Sequence, residues 1–80
     1  MINSGTSIGH DASIGSYVDV MGGVRITGNV KISDFSYVGS GVIFIPHSRV
    51  GEGAFVGAGS VVLKKVNAGA KVFGNPALEI

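Results

Sequence analysis

From Ile2 to Val62 one apolar residue recurs at every sixth position, as Ile2, Ile8, Ile14, Val20, Ile26, Ile32, Val38, Phe44, Val50, Val56 and Val62. All are β-branched or aromatic, the types that suit extended backbone. Two residues ahead runs a second column, Thr6, Ala12, Val18, Val24, Val30, Ser36, Val42, Ser48, Ala54 and Ser60, which holds only small or β-branched side chains. A period of 3.6 makes a helix and a period of two makes a half-buried strand. A period of six with one inward residue predicts short strands meeting at corners. Three hexads form one triangular coil, so residues 18 apart lie one above another at about the 4.8 Å strand spacing. The register is read as unbroken through Val66, which gives about 3.6 coils.

The expected fold is therefore all-β, a parallel β-helix over 1–66, with 67–80 as a C-terminal cap segment of the same domain. In the cap a last strand leads into Gly74-Asn75-Pro76-Ala77, a turn that cannot continue the ladder. At the other end Met1 directly precedes the first inward position. An uncapped end is expected there, with some tendency for assemblies to stack on it.

Residues flanking each inward position point outward. Around Ile14, Ile32 and Val50 they are polar: Ser13, Lys31, Ser33 and Arg49. Around Ile26, Phe44 and Val62 they turn apolar along the chain, from Arg25 and Thr27 to Ile43, Ile45, Val61 and Leu63. Around Val20, Val38 and Val56 they begin as Asp19 and Met21 and continue as Tyr37 and Phe55, with Phe73 extending the column. Two adjacent faces apolar on both sides predict self-association, most simply a homotrimer through the Tyr37/Phe55 and Ile43/Ile45/Val61/Leu63 faces. A small core for this chain length points the same way.

Composition narrows the classes. Fourteen glycines in 80 residues mean many repeated turns. A net charge of +1, with Lys64-Lys65 the sole adjacent pair of like charges, offers no basic patch and no nucleic-acid footprint. No cysteine is present, so neither disulfides nor thiolate metal sites support the fold. The longest apolar run, Val42 to Ile45, is four residues and spans no membrane. The expected protein is soluble and cytoplasmic, with no membrane partner. Two histidines fall short of a three-His metal centre, and no metal is expected. The lone outward Thr27 gives no threonine column of the ice-binding kind.

Glycine often follows the inward residue, as in Ile8-Gly9, Ile14-Gly15, Val38-Gly39, Val50-Gly51 and Val56-Gly57. In this the chain resembles the left-handed β-helix of the hexapeptide-repeat acyltransferases. The left hand is implied by that resemblance, since crossover preference alone favours the right. Ile2-Asn3-Ser4-Gly5, Ile8-Gly9-His10-Asp11 and Ile14-Gly15-Ser16-Tyr17-Val18 are similar to the catalytic coil of the sugar O- and N-acetyltransferases. That group is typified by the sialic acid O-acetyltransferases and the bacillosamine-pathway N-acetyltransferases. Phe55-Val56-Gly57-Ala58-Gly59-Ser60-Val61-Val62 and Gly74-Asn75-Pro76-Ala77 resemble its C-terminal end. Nothing in these 80 residues resembles the group's N-terminal nucleotide-fold subdomain.

The resemblance implies His10 as general base and Asp11 as the carboxylate that raises its basicity. Imidazole suits the task, because an amine or hydroxyl attacking a thioester must lose a proton near neutral pH. Acetyl-CoA is the implied acyl donor, lying between neighbouring subunits. The matching contact positions are Gly28, Ser40, Gly57 and Ala58, with Gly74, Asn75 and Pro76 near the groove's end. Asp19 joins these positions, standing where the group often has a second histidine at the acetyl carbonyl. Lys64 and Lys65 either meet the cofactor phosphates or are solvated, and His47 is read as surface. The implied function is direct acetyl transfer to an amine or hydroxyl of a sugar-like acceptor. The alternative is a non-catalytic trimeric β-helix, a truncated acyltransferase that serves a structural, CoA-binding or partner-binding role.

Overall fold

The hexads close into coils of three short strands. A computed structural model describes Ile2 and residues 5–80; Asn3 and Ser4, part of the likeness above, lie outside the described residues. Sheet 1 stacks β1 (Ser7–Ile8), β4 (Arg25–Ile26), β7 (Ile43–Phe44) and β10 (Val61–Val62). Sheet 2 stacks β2 (Ser13–Ile14), β5 (Lys31–Ile32), β8 (Arg49–Val50) and β11 (Lys65–Val66). Sheet 3 stacks β3 (Asp19–Val20), β6 (Tyr37–Val38), β9 (Phe55–Val56) and β12 (Lys71–Phe73), and ends with β13 (Leu78–Glu79). Every pairing is parallel except that of β13, which turns back antiparallel on β12 after the cis Asn75–Pro76 peptide. The result is a left-handed parallel β-helix of about four turns.

Each strand contributes one inward and one outward side chain. The inward hexad residues from Val20 to Val62 are all buried, and the inner corner column packs beside them. Three serines in that column are buried yet satisfied. Ser36 donates to the Ser33 and Gly51 carbonyls, Ser48 donates to the Ile45 carbonyl, and Ser60 accepts the Gly74 N–H. The first coil is less covered: Ile2 is 43% exposed and Ile8 50%.

Two sequence expectations need correction. The 18-residue register does not run through Val66. Lys65 pairs with Arg49 and Val66 with Val50, a spacing of 16, because the corner between β10 and β11 is shortened to Leu63 and Lys64. The slip is absorbed without loss of burial, since Val66 and Val72 take inward places that Ala68 and Gly74 would otherwise hold. Phe73 consequently does not continue the Tyr37/Phe55 column. Lys71 lies beside Phe55, and the Phe73 ring covers Gly57 instead, where an added Cβ would stand 2.5 Å from the ring.

Three corners join the sheets. Corner I (9–12, 27–30, 45–48, 63–64) links sheet 1 to sheet 2, corner II (15–18, 33–36, 51–54, 67–70) links sheet 2 to sheet 3, and corner III (21–24, 39–42, 57–60) links sheet 3 to the next coil, its column continued by the 74–77 turn between β12 and β13. The third residue of the full corners has left-handed backbone, which corner III fills with Gly23, Gly41 and Gly59. Corner II fills it with Gly53 and Gly69 in the later coils but with Tyr17 (φ 57°) and Phe35 (φ 62°) in the first two, a conformation bulky residues seldom adopt, and their rings stack at 5.4 Å and 7°.

The first corner residue carries a different constraint. A Cβ on Gly39 would stand 2.5 Å from the Ala58 nitrogen and 2.8 Å from its Cα, backbone that cannot swing aside. Gly39→Ala is expected to destabilise by about 1–3 kcal/mol through overpacking. The neighbouring Ser40→Ala, at an exposed position, should stay within about 0.5 kcal/mol. Thermal unfolding of the two variants checks this, and equal losses would mean that the coils can spread at that corner.

Candidate functional site

His10 and Asp11 are the second and third residues of corner I in the first full coil. Asp11 takes a left-handed backbone (φ 58°), and its Oδ2 lies 2.5 Å from His10 Nδ1. The pair stands in the open, with side chains 88% and 64% exposed. The His10 carbonyl accepts the Asn29 N–H at 2.9 Å, which ties this corner to the coil above. A ring whose Nδ1 is engaged by a carboxylate presents Nε2 as its free nitrogen. Gly28 sits directly above, its missing Cβ directed 3.4 Å from the His10 carbonyl. His47 shares this corner two coils up, in the left-handed column of Asp11 and Asn29, and its N–H donates to the Gly28 carbonyl at 3.1 Å.

Next to this corner, sheet 1 carries an open depression. Gly5, Ser7, Ile8, Gly9, Gly23, Arg25, Ile26 and Thr27 line it, so one cation and two hydroxyls stand among glycines and two isoleucines. The same face turns apolar in later coils, where Ile43, Ile45 and Leu63 are exposed.

The remaining candidate positions fall elsewhere. Ser40, Gly57, Ala58, Gly74, Asn75 and Pro76 all belong to corner III, in successive coils, and Asp19 points outward from β3 on sheet 3. Corners I and III flank sheet 1 at opposite ends, so a single chain does not bring His10 to the corner III column. Corner III nevertheless suits a narrow acyl-carrier arm. Around the exposed Ser40 and Ala58 it offers the exposed Gly41 and Gly59, backbone that a thioester chain can approach, whereas Gly39 and Gly57 are buried, Gly57 beneath the Phe73 ring. Lys64 and Lys65 line a separate cleft at the C-terminal end with Pro76, Ala77 and Leu78. Among the described residues no group of three or more His, Cys, Asp or Glu could hold a metal ion.

One feature escapes a linear reading. Lys31, Arg49 and Lys65 stand directly beside one another on the outward face of sheet 2, although 18 and 16 residues separate them in the chain. Adjacent-charge counting along the sequence finds only Lys64-Lys65. The folded molecule has a stacked cationic column as well.

The bacterial transferase hexapeptide family, described as six repeats, matches residues 29–64. GDP-perosamine N-acetyltransferase of Escherichia coli O157:H7 is 42% identical over 78 residues, covering 91% of this chain and 35% of the relative. Among solved structures, WeeI from Acinetobacter baumannii AYE superposes with a TM-score of 0.89 at 39% identity, over 94% of this chain and 38% of its own. The acetyltransferase domain of PglB from Neisseria gonorrhoeae FA1090, solved also in complex with acetyl coenzyme A, superposes with a TM-score of 0.96 at 30% identity, over 99% of this chain and 38% of its own. The chain thus spans 35–38% of the length of these proteins. In repeat, coil and corner it resembles them nearly throughout its own length, and residues 29–64 carry the repeat of the bacterial transferase hexapeptide family.

Proposed function

We propose that this chain is the catalytic β-helix of an acetyl-CoA-dependent acetyltransferase acting on an amine or hydroxyl of a sugar-like acceptor. The observation that carries the reading is the exposed His10–Asp11 pair, with Nδ1 engaged by the carboxylate and Nε2 free, at the corner next to the sheet 1 depression. The acceptor's nitrogen or oxygen attacks the thioester carbonyl while Nε2 of His10 removes its proton. The tetrahedral intermediate then expels the thiolate, which takes that proton from the imidazolium. No acyl-enzyme is formed. Asp11 holds the ring and stabilises the imidazolium, and backbone N–H groups face the developing oxyanion. Asp19, at the place of the group's second histidine, supplies no such donor when ionised.

Assembly follows from the separation of the two corners. His10 lies at one end of sheet 1 and the corner III column at the other, so the site is complete only when corner III of one subunit meets corner I of the next. The exposed Ile43, Ile45, Leu63 and Phe55, with half-buried Tyr37 and Val61 between them, form the contact faces of a homotrimer. Gly28, Ser40, Gly57 and Ala58 then border the acetyl-CoA groove, with Gly74, Asn75 and Pro76 at its end. Trimers stack on the less covered first coil.

Calorimetric titration with acetyl-CoA, at protein concentrations where light scattering reports a trimer, tests this directly. Saturable binding near one cofactor per chain is the expected result. A folded trimer that binds no acetyl-CoA would leave the non-catalytic, structural role, and a monomer at all concentrations would defeat the inter-subunit site.

A further inference from the structure

We propose that the outward face of sheet 2 is a docking surface for an acidic polysaccharide. Lys31, Arg49 and Lys65 are exposed and in register on three consecutive parallel strands, about 4.8 Å apart from rung to rung. Like charges placed directly opposite across a sheet are unfavourable. No ion pair among the described residues relieves them. Asp34 and Glu52 stand at the neighbouring corner, but the Asp34 carboxylate accepts the Ser16 N–H at 2.7 Å and neither carboxylate bridges to the column. With a net charge of only +1, half of the six Lys and Arg side chains lie in this one file. The two-residue slip before β11 puts Lys65 in the file, at the place Asn67 would hold in an unbroken register.

The rest of the face tells what kind of anion it fits. Its exposed neighbours include Asn29, Ser33 and Asn67, hydrogen-bonding groups without charge, while the carboxylates of Asp34 and Glu52 are confined to the depression beside Lys31. No aromatic residue is among the outward strand residues Ser13, Lys31, Arg49 and Lys65, so the cation track itself offers nucleobases no stacking platform, and the exposed rings at the adjoining corner, Tyr17 and Phe35, stack on each other. No apolar side chain stands there to enter a membrane or a protein interface. What remains is a flat, linear track of cations flanked by amides and a hydroxyl. A rung is comparable in length to one sugar residue of an extended glycan. A chain of uronic-acid type, lying along the β-helix axis, sets its carboxylates on the cations and its hydroxyls on Asn29, Ser33 and Asn67.

The test is a calorimetric titration of the full chain with polygalacturonate oligomers about ten residues long, at low and moderate salt. Binding is expected, weakening as salt rises. Arg49→Gln should weaken it by about tenfold, the loss of one charge-assisted contact. Lys71→Gln makes the same change in net charge on sheet 3 and should leave the affinity unchanged. Melting of both variants shows whether each is folded. Absence of binding by the wild-type chain overturns the proposal, and so does an equal loss in Lys71→Gln, which would mean net charge alone is felt. Equal affinity for inorganic polyphosphate of similar length overturns the polysaccharide assignment.

Discussion

Replacing His10 by alanine is expected to lower turnover by about 10²–10⁴-fold, the usual contribution of a positioned general base. The size follows from what the side chain does not do. It is 88% exposed and pairs with the adjacent Asp11, and the corner is held by its backbone carbonyl, which accepts the Asn29 N–H whatever the side chain. Melting temperature, oligomer size and acetyl-CoA affinity should therefore stay at wild-type values while the rate for an amino-sugar acceptor falls. A His10→Ala protein that keeps its full rate would place the base elsewhere, and His47, in the same corner two coils up, would be examined next. A loss of rate accompanied by loss of the trimer would instead mean that His10 supports assembly.

Phe44→Ala should be the most damaging change to the fold. Phe44 is the largest fully buried side chain and stands in the middle of the sheet 1 file, between Ile26 and Val62. A coil has one inward side chain per strand, so no neighbour can slide in to fill the void. A loss of about 3–5 kcal/mol is expected, a large share of the 5–15 kcal/mol that typically stabilises a domain. Ile8→Ala, in the same file but 50% exposed, should lose much less. Urea unfolding of both variants decides it. Equal losses would show that the first coil is buried in the assembled protein.

The sequence discloses the coil because the fold is a direct consequence of its period. Each hexad fixes one strand, one corner and one inward residue, so Val20, Ile26 and Ile32 could be assigned to three faces by position alone. The slip at Leu63 and Lys64 was illegible for a physical reason. Val66 and Val72 are good inward residues, but the unbroken hexad passes them for Ala68 and Gly74, which a triangular interior also tolerates. That error carried Phe73 to the wrong partner and hid the third rung of the Lys31–Arg49–Lys65 file. The His10–Asp11 pair was legible because its members are adjacent, yet the left-handed turn at Asp11 that joins carboxylate to Nδ1 was not. Nor was the strain at Tyr17 and Phe35, since the third corner position is held mostly by Gly, Asp and Asn and nothing local announces an aromatic there. Nothing in the sequence partitions the residues that the resemblance implies, and only the fold divides them among corner I, corner III and, for Asp19, sheet 3.

The poorly covered first coil has an energetic meaning. Strands in this molecule pair only with the coil before or after, so its cooperativity is one-dimensional, like a zipper with teeth of unequal strength. The inward residues of the middle coils are sealed, whereas Ile2 and Ile8 remain about half open to water. His10 rides on that half-open tooth. Whatever seats itself over the first coil closes the zipper and holds the imidazole still in the same event.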